Sequence, residues 1–173
     1  MGLFQDFLAA LGRALTDALV PRRRRRPAAR KKRVPPTTDY PGDFTGTPTL
    51  TYAPREGSTA NPGEVCWTWV PYEEDHTSGK DRPVLIIGRD RNWLLGLGMT
   101  SQDHDLDREQ EARAGRYWVE IGSGPWDGSG RVSEVRVNRI IRVDPNRVRR
   151  VAGRLDKARF DKVAAGVRRH QPR

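Results

Sequence analysis

The thirteen residues "PYEEDHTSGKDRP" (Pro71 to Pro83) crowd Glu73, Glu74, Asp75, His76, Ser78, Lys80, Asp81 and Arg82 against the start of an apolar run, Val84 to Ile87. Arg82 stands out among them. Pro83 pushes the residue before it into an extended conformation, and the strand that follows is rigid, so the base of the Arg82 side chain is fixed. A fixed arginine suits a phosphate, because its donors fork and its charge does not titrate. The same geometry also suits an arginine tied down by Asp81 or Glu74. Thr100 closes the stretch "NWLLGLGMT" (Asn92 to Thr100). If "RDRN" (Arg89 to Asn92) is the turn of a hairpin, Arg82 and Thr100 lie at the same end of a two-strand ladder. A hydroxyl and a guanidinium converging there could hold a phosphodiester; alternatively, Thr100 is a strand-end residue making a local turn bond.

Other chemistries find little support. Cys66 is the lone cysteine, so no disulfide forms within the chain, and with three scattered histidines a zinc site is not expected. In a strand-like run a single cysteine reads as a small buried apolar residue. "GSGPWDGSG" (Gly122 to Gly130) is glycine-rich, but no suitable helix follows it, so it reads as a hairpin loop with Trp126 folded over the domain and not as a phosphate cradle. No nucleophile elbow is present.

The elements that must position Arg82 and Thr100 are mostly strands. "EVCWTWV" (Glu64 to Val70) alternates Val65, Trp67 and Trp69 with Cys66, Thr68 and Val70. "PVLIIGR" (Pro83 to Arg89) is a continuous apolar run, as in a central strand. "NWLLGLGMT" returns, and its two glycines imply a bulge or a close backbone approach. "RYWVEI" (Arg116 to Ile121) and "RVSEVRVNRIIRV" (Arg131 to Val143) complete five strands. The period then changes: Asp156 caps a helix whose apolar face is Phe160, Val163, Ala164 and Val167, with Arg168 and Arg169 in its last turn. This pattern predicts a mainly β domain over 62–170, a small, strongly bent barrel with a C-terminal helix. The span from Pro71 to Pro83 is long for a hairpin connection, and long polar loops on rigid sheets are where sites gather.

Charge is distributed unevenly. The 173-residue chain carries +10. Residues 1–33 hold ten basic and two acidic side chains, so +8 sits there and only +2 on the other 140 residues. The folded part is not a broadly basic surface, and any nucleic-acid contact it makes is local. Residues 1–20 predict an amphipathic helix, with Phe4, Phe7, Leu8, Leu11, Leu15 and Leu19 recurring at three and four and Pro21 ending it. It has too many charges for a membrane span, and its arginines follow the apolar part, unlike a secretory signal. Nine basic residues follow between Arg22 and Arg33. Helix and basic run together read as a two-signal anchor to an anionic membrane surface, as an electrostatic nucleic-acid arm, or as a solvated tail whose helix docks on its own domain or a second copy. Residues 21–61 as a whole predict a disordered basic and Pro/Gly-rich linker, with one short edge strand at Thr49 to Tyr52.

The blocks "PGEVCWTWVPYEEDHTSGKDRPVLIIGRD", "LLGLGMTSQDHD" and "SEVRVNRIIRVDPNRV", in that order, resemble the MazF/PemK family of toxin endoribonucleases over about residues 62–169. The Gly63-Glu64-Val65 start, the Arg82-Pro83-Val84-Leu85-Ile86 block and the Asn138 to Asp144 segment carry the resemblance. It implies an SH3-like barrel, usually a homodimer, that is held in check by an antitoxin protein and cuts single-stranded RNA such as mRNA in the cytoplasm, inhibiting growth. It implies no cofactor and no metal: the RNA 2′-hydroxyl attacks the adjacent phosphate and leaves a 2′,3′-cyclic phosphate. Arg82 matches the family's catalytic arginine and Thr100 its catalytic threonine. His76, Ser78 and Lys80 are further candidates for catalysis or RNA contact, His76 as a base because its charge changes near neutrality. The loop is one residue longer than the family pattern, and His76, Thr77 and Ser78 stand where many members carry Ser-Glu-Gln. The N-terminal helix, basic run and linker have no counterpart in compact members; a tether through residues 1–33 would put the domain at the inner face of the membrane. Two other functions remain open on the sequence: a non-enzymatic binder like the related CcdB branch, acting through the C-terminal helix, and a membrane-tethered regulatory domain with little activity.

Overall fold

The structure, a computed structural model, describes residues 40–101 and 108–171. The amphipathic helix and basic run expected at the N-terminus lie outside these residues. Six strands follow one another: β1 Glu64–Pro71, β2 Gly79–Asp90, β3 Trp93–Thr100, β4 Trp118–Gly122, β5 Ser133–Val143 and β6 Arg150–Arg154. They form one antiparallel sheet in the order β4-β5-β3-β2-β1-β6. A short helix α1, Arg108–Arg113, precedes β4, and α2, Lys157–His170, ends the domain. Register shifts at Val65/Cys66, Ile86/Gly88, Leu97/Met99 and Glu120/Gly122 kink four of the strands, which is how a sheet this small bends towards a barrel.

Alternation along the strands divides the core in two. Val65, Leu85, Ile87, Leu95, Leu97, Val135 and Val137 share one face with Trp126 and with the apolar stripe of α2, Phe160, Val163, Ala164 and Val167. Cys66, Val70, Val84, Ile86, Leu94, Ile141 and Val143 fill the other. The α2 stripe is the one its sequence spacing predicts, and the Asp156 carboxylate accepts from the Arg159 N–H at 2.9 Å as its N-cap. Trp126, from the glycine-rich loop, is buried and donates to the Ser133 hydroxyl at 3.0 Å.

Three elements differ from the sequence expectation. β2 begins at Gly79, four residues before Pro83, so the connection from β1 is only residues 72–78. Lys80, Asp81 and Arg82 are therefore strand residues, paired with Val70, Trp69 and Thr68. The charged, non-alternating sequence hides this strand start, and the β1 partner supplies the ladder that fixes it. A sixth strand, β6, pairs along β1 from Glu64↔Arg154 to Trp67↔Arg150; "RVAGR" is too short and too mixed to show a period. The stretch expected as linker is not free from residue 40 onward. The Phe44 N–H donates to the Ile140 carbonyl at 2.8 Å, the Thr51 N–H to the Ile87 carbonyl at 2.9 Å, and the Tyr52 hydroxyl to the Leu155 carbonyl at 2.9 Å. The expected edge strand at Thr49–Tyr52 is present only as that single Thr51 bond. Where this strap crosses β2, a Cβ on Gly88 would run into the Thr49 carbonyl oxygen, so glycine is required there.

Candidate active site

The turn between β2 and β3 is Arg91–Asn92, with Arg91 at φ 53°. The ladder that leaves it pairs Ile86 with Gly96 and Val84 with Gly98. Continued by one further pair of positions on the same face, that register sets Arg82 opposite Thr100. On its other side Arg82 faces Thr68 of β1, and Thr100 faces Glu134 of β5. The result is a polar row across four neighbouring strands: Thr68, Arg82, Thr100 and Glu134. It lies on the face of Val84 and Ile86, away from α2. Thr68 and Glu134 are buried; Arg82 and Thr100 are half-buried.

A cavity of about 250 Å³ opens on this face, lined by Arg82, Gly98, Met99, Trp118 and Ile141, by Val70 to Glu74 from the end of β1 and the connection after it, and by Arg116, Arg136 and Arg139. Gly98 forms bare floor: a Cβ there would meet nothing within 4 Å. Gly79 is fixed for the opposite reason. It sits across from Pro71, and a Cβ on it would collide with the Val70 carbonyl oxygen. This close approach lets the connection turn over the cavity.

The four arginines differ in what they already hold. Arg136 gives both terminal nitrogens to Glu73, at 2.8 and 3.2 Å. Its side chain is 14% exposed and that of Glu73 is 53% exposed, so the carboxylate caps the arginine from the solvent side. Arg116 forks onto Glu111 at 2.6 and 2.8 Å, and the Trp118 indole N–H shares that carboxylate at 2.9 Å. Arg139 is held by Asp43 and by the Pro71 carbonyl. The Arg82 guanidinium makes no hydrogen bond or ion pair among the described residues. Its neighbour Asp81 points to the other face and pairs with Arg149 at 2.5 Å, so the tie-down that the sequence allowed does not form.

Of the further candidates His76, Ser78 and Lys80, none lines this cavity. The Lys80 ammonium lies 5.8 Å from the centre of the Tyr72 ring. Thr77, and with it Ser78, hydrogen-bonds the Asp75 carboxylate and holds that group below the usual carboxylate range. His76 lines a separate pocket with Tyr40 and Trp93, its Nε2 4.0 Å from Asp43. Burial, with Glu64 nearby, pushes the Cys66 thiol up to about 12, which keeps it protonated and unreactive at neutral pH. Arg116, Arg136 and Arg139 were not singled out from the sequence. The one signal for them was Arg136 standing between Val135 and Val137, an arginine on the second face of a buried strand.

Arg82 is thus a half-buried cation with no side-chain partner among the described residues, on a strand at a cavity and across the ladder from a hydroxyl, an arrangement that suits an anion. The comparison with known families agrees with the order of the sequence blocks: residues 61–170 match the family described as PemK-like, MazF-like toxin of type II toxin-antitoxin system. The chain belongs to this family. The match opens at the Asn61 to Glu64 turn and ends with α2, so it takes in all six strands and both helices of this PemK-like domain, and it leaves out the strap at 40–60. No curated protein matches the chain.

Proposed function

We propose that the chain is the toxin of a type II toxin-antitoxin pair and acts as an endoribonuclease on single-stranded RNA. The 2′-hydroxyl oxygen attacks the adjacent phosphorus, the P–O5′ bond breaks, and the products are a 2′,3′-cyclic phosphate and a 5′-hydroxyl. The observation that supports this most is Arg82, whose guanidinium is free among the described residues while the three other arginines of the cavity each hold a carboxylate. Its role is to stabilise the extra negative charge of the phosphorane, which forms where the donors already point and so costs no reorganisation. Thr100, its cross-strand neighbour, gives its hydroxyl to a non-bridging oxygen. No metal is required in this scheme. Cytoplasmic action, restraint by an antitoxin and a homodimeric state belong to the same reading.

Arg82→Ala tests it. Loss of one such donor costs on the order of 10²–10³ in kcat. The variant is expected to melt like the parent and to leave mixed single-stranded RNA essentially uncut. Undiminished cleavage would place the active site elsewhere.

A further inference from the structure

Arg139 has a guanidinium that is held in place yet partly unused. Its Nε donates to Asp43 Oδ2 at 2.7 Å, and its Nη2 donates to Asp43 Oδ1 at 3.3 Å and to the Pro71 carbonyl at 2.9 Å. Those contacts take up Nε and Nη2. The two N–H groups of Nη1 have no acceptor among the described residues. The side chain is 13% exposed and lines the same cavity as Arg82. Arg136 differs, because both its terminal nitrogens face Glu73. Arg116 also keeps Nη1 unused among the described residues, but there only Glu111 accepts from it and its side chain is 42% exposed. Arg139 therefore combines spare donors with an orientation bound from two sides.

The brace comes from an unexpected place. Asp43 belongs to the strap that precedes the residues matching the family. It is itself fixed, accepting from the Tyr40 hydroxyl at 2.6 Å, and that phenol is pushed above its usual range by burial and by Asp43. The strap is anchored next door by the Phe44 bond to Ile140 and by Arg142, which donates to the Gly42 and Asp43 carbonyls at 2.9 and 3.0 Å.

We propose that Arg139 contacts a second phosphate of bound single-stranded RNA, flanking the one held by Arg82, and that Asp43 is its positioning residue. The choice of RNA as ligand rests on the ribonuclease reading; the contact itself is read from the donors. A guanidinium already immobilised loses little rotamer freedom when it binds, so its hydrogen bonds go further than those of a mobile lysine or arginine.

Binding is measured with a random-sequence single-stranded RNA bearing 2′-O-methyl groups, which has no nucleophile and is not cut, over a range of salt concentrations. Arg139→Ala is expected to weaken binding about tenfold and to lower the slope of log affinity against log salt by about 0.7, one phosphate contact on a single strand. Arg139→Gln, which keeps a donor for Pro71, is expected to show the same slope loss should the alanine variant melt early. Asp43→Ala is expected to weaken binding less, and to have no effect where Arg139 is already alanine. An unchanged slope in both Arg139 variants overturns the proposal, as does tighter binding by Asp43→Ala, which would make the carboxylate a mere neutraliser. If the parent binds RNA with an Arg139-dependent slope yet never cleaves it, this contact stands and the ribonuclease reading falls.

Discussion

The arginine at position 82 is defined as much by what it lacks as by where it sits. Three guanidiniums around the same cavity are matched by Glu73, Glu111 and Asp43, at N–O distances of 2.6–2.8 Å. An ion pair of that kind leaves an incoming phosphate only those nitrogens that the carboxylate does not already hold. Arg82 carries no such cost, and its strand holds it still. Thr100 is the second residue of the pair. Thr100→Val keeps the shape and removes the hydroxyl, so folding should be retained while kcat falls roughly ten- to a hundredfold, the worth of one hydrogen bond to a charged group. Kinetics unchanged from the parent would show that the hydroxyl touches no reacting atom. The placement of Arg82 and Thr100 opposite one another at one end of the hairpin was legible in the sequence from the apolar run and its turn. The bracing of Arg136 and Arg139 was not, because it depends on carboxylates 63 and 96 positions away, which no local pattern reveals.

At the scale of elements, the strands fix the pair and the helix fixes the strands. The central hairpin was readable from its apolar run and its turn, and α2 from Asp156 and its 3.6-residue stripe. The strand start at Gly79 was not, since its polar residues gain their ladder only from β1. Two consequences can be measured. Gly98 is open floor with ordinary backbone torsions, so Gly98→Val should fold at least as well as the parent, β-branching suiting a strand, while the isopropyl group intrudes on the cavity. Cleavage should fall on the order of a hundredfold, as expected when a substrate is displaced by about 1 Å; full activity at parental stability would put the substrate elsewhere. Asp156→Ala removes the N-cap of α2, far from the polar row. Chemical denaturation should show a loss of about 1 kcal/mol, with kcat on the folded protein unchanged. An effect on kcat would tie α2 to the reaction.

For the whole molecule, the family's sheet and helix account for residues 61–170, and this chain adds a strap that reaches back to the cavity wall through Asp43. The Pro/Gly-rich composition of that strap reads as linker in the sequence; what orders it are partners on β2 and β5, not any period of its own. The charge asymmetry also belongs to this scale. With +8 of the +10 on residues 1–33, the domain has no broad basic field, so the proposed RNA contact depends on a few placed donors. The proposed function turns on one reaction at one arginine, so the chemistry of the cleaved ends is the decisive readout. Mixed single-stranded RNA incubated with the full chain in EDTA should yield 5′-hydroxyl and 2′,3′-cyclic phosphate ends, and none with Arg82→Ala. Fragments with 5′-phosphate ends, or RNA left intact by the parent protein, would contradict it.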